Sequence, residues 1–188
     1  MKPLALFLTG AALLATLACG GGGGGGGTIT LPASTTPATK LVYTSPTDPT
    51  AWRLVQDSAS TNSRLVLDLL APTGTSGQGV TLVLTSDTAL ATWAKVDGTN
   101  YADQVIYTSP KAAVASVSGS SLQLLYGQAF QAGAAVNYGI TPVLQVALNL
   151  ASSAVTGTVA LTTAQGGHLG TTSTPTAITV SVGALQAE

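Results

Sequence analysis

An all-β fold, an antiparallel sandwich or barrel, is what this 188-residue sequence predicts. Three observations carry that expectation. Apolar side chains recur at every second position in several short runs, the period of a strand with one face toward a core. Clusters of Gly, Pro, Asn, Asp and Ser punctuate these runs at short intervals, as turns between strands do. Thr and Val are abundant, as pleated surfaces favour, and no long segment repeats at helical spacing. Apolar residues make up 45% of the chain, enough to offset the ordering of a fold.

Charge is scarce. Asp, Glu, Lys and Arg form 7% of the residues, where a typical domain has about 25%. Six basic and seven acidic side chains leave a net charge of −1. No basic field exists to hold a phosphate backbone, so nucleic-acid binding is excluded as a function class. One His and one Cys offer little raw material for catalysis.

The chain starts with a cationic Lys2, and Leu4 to Ala18 is an apolar run broken only by Thr9, Gly10 and Thr16. A spanning helix needs about 20 apolar residues, so this run has the length of a signal-peptide core instead. It ends at Thr16-Leu17-Ala18-Cys19-Gly20. That junction resembles the lipobox of bacterial lipoproteins, with small Ala18 before Cys19; Thr16 stands where the family most often has Leu. The resemblance implies cleavage before Cys19 and acylation of its thiol and new amino terminus. Cys19 is the only cysteine and has no disulfide partner within the chain. Two or more acyl chains give stable anchoring. The expected address is therefore the cell envelope, at the outer membrane, with Gly20 after the cysteine in place of the Asp that resembles an inner-membrane retention signal.

Gly20 to Gly27 are eight consecutive glycines, followed by a Thr/Pro-rich stretch to Thr39. Polyglycine does not hold one backbone conformation, and eight residues reach about 16 Å as a flexible coil. A phosphate-binding glycine loop needs a preceding strand and a following helix, which this context lacks. The expected organisation is a signal peptide over 1–18, a lipidated cysteine and tether over 19–39, and a β-sandwich domain over 40–188.

Within the domain the runs appear in order. Ser63 to Leu70 is almost continuously apolar, as suits a strand covered on both faces. Pro72 to Gly79 reads as a turn, and Val80, Leu82 and Leu84 alternate with Thr81 and Val83. Asp87 is placed to cap a short helical turn through Trp93, with Leu90 and Trp93 on one face. Asp97-Gly98-Thr99-Asn100 is a turn, and Ser109-Pro110 has the residues to open a second helical turn. Ser118-Gly119-Ser120 precedes a second central strand, Ser121 to Tyr126. After a turn cluster at Gly127 to Gly133, Leu144, Val146, Leu148 and Leu150 alternate with Gln145, Ala147 and Asn149. Val159 and Leu161 follow, Gln165 to Gly170 reads as a turn, and Ile178, Val180 and Val182 make the closing strand.

The segment Gly79-Val80-Thr81-Leu82-Val83-Leu84-Thr85-Ser86-Asp87-Thr88-Ala89-Leu90 resembles the motif of cohesin-type domains, a glycine-led strand running into an Asp turn and a Leu. Thr88 stands where the family has Pro, and Ser86 where it has Tyr. Ser121 to Gln128, Val143 to Ala151, Gly157 to Thr163 and Ala177 to Ala184 follow that family's strands in order, so the likeness covers most of Arg64 to Ala184. It implies a nine-stranded jelly-roll β-sandwich, shared with several carbohydrate-binding modules, that acts by non-catalytic recognition. No dockerin-type calcium loop is present to form a self-partner.

Few side chains suggest chemistry. His168, in Gly166-Gly167-His168-Leu169-Gly170, reads as a surface loop residue. Serines abound, but no Gly-x-Ser-x-Gly pattern accompanies them, so no catalytic set is expected. Asp97, Asn100 and Asp103 match no EF-hand loop and are explained by turn formation, so no metal or cofactor is expected. Asp68, between Leu67 and Leu69, either faces outward on an edge or is buried against Arg64, and a structural pairing with Arg64 is preferred. Trp93 and Tyr126 are expected in the core. Trp52, Tyr101 and Tyr107 are the candidate ligand-binding aromatics, because exposed Trp and Tyr stack on sugars and anchor protein interfaces. The expectation is an envelope lipoprotein displaying a non-catalytic domain for an unidentified protein or polysaccharide. The alternative is a structural subunit of a surface assembly, whose low charge favours association.

Overall fold

The computed structural model describes residues 35–95, 105–107, 113–127, 135–138, 141–171 and 174–188. All of them belong to the compact unit Ala33–Glu188. The expected helical turn at Ser109-Pro110, the turn at Asp97 to Asn100 and the leader lie outside these residues.

Every regular element among the described residues is a strand. In the first half these are β1 (Leu41–Thr44), β2 (Trp52–Gln56), β3 (Arg64–Leu70), β4 (Ser76–Gly77), β5 (Gly79–Thr85), β6 (Ala91–Ala94), β7 (Val105–Tyr107) and β8 (Ala113–Ser118). Then come β9 (Ser121–Gly127), β10 (Val136–Asn137), β11 (Leu144–Leu150), β12 (Gly157–Val159) and β13 (Thr162–Leu169). The chain closes with β14 (Thr176–Ala177), β15 (Val180–Ser181) and β16 (Ala184–Ala187).

Two large sheets form the layers. One has the order β15-β2-β3-β11-β6 and the other β14-β13-β5-β9-β8-β7. Pairings are antiparallel except between β15 and β2. A three-stranded sheet β1-β16-β12 and a two-stranded ribbon β10-β4 complete the fold. The alternation read from sequence sets which side chains meet between the layers. Leu54, Leu65, Leu67, Leu69, Leu144, Val146 and Leu148 from the five-stranded sheet share one buried cluster with Val80, Leu82, Leu84, Ala115 and Leu122 from the six-stranded sheet. Shifting any of these strands by one residue would turn its apolar set outward, so the core fixes the register. The predicted β-sandwich is the architecture found, and it carries no helix among the described residues.

Three local expectations change. Asp87 caps no helix: its Oδ1 accepts the Ala89 N–H at 3.0 Å, its carbonyl accepts from Leu90 and Ala91, and the chain enters β6 at once. Trp93 is therefore a strand residue, but it is in the core as expected, 5% exposed, with its indole N–H on the Ser120 carbonyl at 2.8 Å. The segment read as a turn at Gln165 to Gly170 is mostly strand β13, paired with β5 on one side and β14 on the other. Its glycines answer to packing: a Cβ at Gly166 would lie 2.8 Å from the Ile178 carbonyl oxygen, and one at Gly167 2.8 Å from Thr81 Oγ1. The expected closing strand is split into β14, β15 and β16, which pair in turn with β13, β2 and β1. The chain there crosses from one layer to the other, so a single alternation cannot serve both. The Tyr43 hydroxyl ties this crossing down, donating to the Leu54 carbonyl at 3.0 Å and accepting the Gly183 N–H at 2.7 Å.

Residues 36–39, in the segment read as tether, are bonded to the sandwich. Pro37 bridges Val155, the Thr36 carbonyl accepts the Thr156 N–H, and the Ala38 N–H donates to the Ala154 carbonyl.

Candidate functional site

No Asp, Glu, Lys or Arg occurs in any strand of the six-stranded sheet. Its inner positions belong to the core, so its outer face is made of what alternates with them. Thr162, Thr85 and Ser121 lie side by side across β13, β5 and β9, with the Thr85 and Thr162 hydroxyls hydrogen-bonded at 2.6 Å. The next row is Gln165, Val83, Gln123 and Ser116, spanning four strands, and Gly167 beside Thr81 continues it. Thr81, Gln123, Thr162 and Gln165 are exposed. Across these positions the surface offers hydroxyls and amides beside the half-buried Val83. Its two edge strands are β14, which pairs with only Gly167 and His168 of the eight-residue β13, and β7.

The aromatic residues take a different place from the one expected for binding. Trp52, predicted as an exposed ligand contact, is 7% exposed. Its position on β2 beside β15 points the indole between the layers, where it meets Tyr138 at a centroid distance of 6.0 Å and His168 at 5.3 Å. Tyr138 and His168 are 5.9 Å apart and nearly edge to face. His168 is thus no surface loop residue. It stands on β13 opposite Val80, on the inward side. The ribbon β10-β4 covers the cluster so closely that a methyl on Gly77 would collide with His168 Nε2 and lie 2.6 Å from the Tyr138 oxygen. Burial pushes the His168 imidazole below its ordinary value, and a hydrogen bond to the Ser76 backbone opposes part of that.

Asp68 pairs across the sheet instead of along it. Its Oδ1 accepts the Gln145 side-chain N–H at 2.8 Å, and Gln145 is its register partner on β11. Arg64 is not its partner, because four residues of strand span about 13 Å, beyond ion-pair reach. Partial burial pushes the Asp68 carboxyl up to about 6; the Gln145 hydrogen bond opposes this, while the charge and hydrogen bond of nearby Asp57 add to it.

The other residues that the sequence singles out divide between the core and the part of the chain outside the described residues. Cys19, Asp97, Asn100, Tyr101 and Asp103 lie outside, as do the side chains of Tyr107 and Tyr126. Among the described side chains, Tyr43, Trp52, Trp93 and Tyr138 are all buried. No group of three or more His, Cys, Asp or Glu converges among the described residues. Sequence reasoning misses Thr81, Gln123 and Gln165. The signal was available, since consecutive strand runs lacking any charge stand out even in a chain this neutral.

No protein-family model matches the chain, and no curated protein matches it. Among solved structures, a type II cohesin domain from the cellulosome of Acetivibrio cellulolyticus superposes with a TM-score of 0.51 and 13% identity. The match covers 72% of this chain and 93% of that one. The class defined by topology and comparison together is a cohesin-like β-sandwich. At this identity the likeness is one of fold.

Proposed function

We propose that this chain is a non-catalytic, protein-binding module displayed from the cell envelope by a lipid on Cys19. The observation that carries the reading is the six-stranded sheet, whose strands hold no Asp, Glu, Lys or Arg and whose outer face exposes Thr81, Gln123, Thr162 and Gln165. Interface centres are depleted of charged side chains, because each must shed water to be covered. Among the described residues the Trp and Tyr rings are buried in the core, away from this face. The cohesin-like fold supports a module that recognises without reacting.

The test is retention of envelope proteins by the full chain in detergent, beside a variant carrying Thr81→Lys and Gln123→Glu. The expected result is one defined protein held by the native chain and released by the variant. Equal retention by both rules the face out as the binding surface. The anchor is tested separately: Cys19→Ser is expected to leave the membrane fraction and to lose labelled fatty acid. Unchanged membrane association of that variant removes the lipid.

A further inference from the structure

On the inner side of β13, away from the exposed face, Trp52, Tyr138 and His168 pack ring against ring under the ribbon β10-β4. Trp52 is 7% exposed and Tyr138 2%. His168 is half-buried, but its Nε2 is occluded and has no hydrogen-bond partner among the described residues. Gly77 closes the cover. A methyl there would collide with Nε2 and would also lie 2.7 Å from the Leu169 carbonyl oxygen.

The cover is lightly held. Its ladder consists of Val136 opposite Gly77 and Asn137 opposite Ser76. Beyond these, the Tyr138 N–H donates to the Thr75 carbonyl at 3.1 Å and the Gln78 N–H to the Leu169 carbonyl at 2.7 Å. A two-stranded ribbon is marginal by itself in water, and such segments open at a far lower free energy than core strands. The strands beneath it, β5 and β13, are paired along their whole length.

A neutral imidazole leaves one ring nitrogen as a bare lone pair, whereas the imidazolium carries N–H on both. The closed cluster gives Nε2 no partner, so a proton there would be a buried, unbonded donor and a buried charge. The surroundings offer no compensating charge. Val80 on β5 and Thr176 on β14 stand opposite His168 in register, and Trp52 comes from β2 beside Val180 of β15. The ribbon contributes the Ser76 backbone and the Tyr138 hydroxyl. Tyr138 is the one titratable residue among these, and none is Asp, Glu, Lys or Arg. The Ser76 backbone favours a charged ring, but burial outweighs it.

We propose that the ribbon β10-β4 is an acid-released cover: protonation of His168 lifts it and bares the Trp52 and Tyr138 rings while the two large sheets stay intact. Occlusion is part of the device. The proton reaches Nε2 only when the ribbon is open, so acid traps openings that are rare at neutral pH. Below 6.5 the open fraction grows by up to about tenfold per pH unit, until the closed form itself takes up the proton. Trp and Tyr rings anchor interfaces, so the open form has an aromatic contact surface that the closed form lacks. The device is independent of protein capture by the six-stranded face.

Acrylamide quenching of tryptophan fluorescence, read beside far-ultraviolet circular dichroism of the full chain in detergent, is the test. The chain has two tryptophans, and Trp93 stays in the core with its indole on Ser120. As pH falls below 6.5, quenching is expected to rise about twofold or more with the strand signal kept. Trp52→Phe and His168→Gln are each expected to lose the rise. Gly77→Ala, whose methyl takes the place of Nε2, is expected to be quenched at neutral pH as strongly as the native chain in acid. Constant quenching of the native chain overturns the inference, as does a rise that comes with loss of the strand signal. So does an undiminished rise in Trp52→Phe or in folded His168→Gln, or a folded Gly77→Ala shielded like the native chain at neutral pH.

Discussion

The two layers of the sandwich are alike inside and unlike outside. Both present a row of Leu and Val to one shared core. Outward, the strands of the six-stranded sheet have no charge at all, whereas those of the five-stranded sheet carry Arg53, Arg64 and Asp68. The charged layer also protects part of its outer surface. Val66, Ala147 and Ala94 lie in register across β3, β11 and β6 and are completely buried, and Ser60 Oγ bonds both the N–H and the carbonyl of Val66. The inner rows therefore specify the fold, and each outer face is left free to be fitted to its own task.

The largest effect should show the likeness. Leu67→Ala in one layer and Leu82→Ala in the other each leave a cavity in the same core. Each is expected to lower unfolding stability by about 3 kcal/mol in urea titration. A loss in one layer several times that in the other would mean that the two inner faces are not equivalent.

A smaller effect should show the difference, because each layer holds a titrating group of opposite sign. Asp68 is raised from 3.8 to about 6 in the fold, so the fold favours its protonated form. Its contribution is full below 3.8 and is lost as pH rises through about 6. Half-exposed as it is, water screens much of this, and Asp68→Asn is expected to raise stability at pH 7.5 by about 1 kcal/mol. His168 in the other layer is lowered from 6.5, so its contribution is present above 6.5 and lost as pH falls through the folded value. In melting curves over this range, Asp68→Asn should leave a protein that only loses stability on acidification below 6.5. His168→Gln should leave one that gains stability as pH falls from about 7 toward 4. Matching pH profiles for the two variants would contradict the assignment of the groups.

The inner rows were legible in the sequence because period-two alternation is a local property. β3, β5, β9 and β11 fall where Ser63 to Leu70, Val80 to Leu84, Ser121 to Tyr126 and Leu144 to Leu150 announced them. What was not legible depends on distant partners. Gly166, Gly167 and His168 carry a turn signature, and only the closeness of Ile178 and Thr81 explains why a strand needs glycine there. Trp52 has the neighbours of an exposed residue in sequence, yet Tyr138 and His168, far along the chain, enclose it. Asp68 chose Gln145 from another strand over Arg64 from its own.

The smallest effect on stability is the most informative about function. Thr81→Lys and Gln123→Glu sit on exposed outer positions, so the double variant is expected to fold within about 0.5 kcal/mol of the native chain. The same two charges placed on the exposed face should abolish partner capture, since each would have to be desolvated at the centre of an interface. Dissociation constants for the retained envelope protein, measured with the native and doubly charged chains at equal stability, decide the matter. Weakening of at least a hundredfold is expected if the neutral face is the binding surface, and an unchanged constant would refute that role.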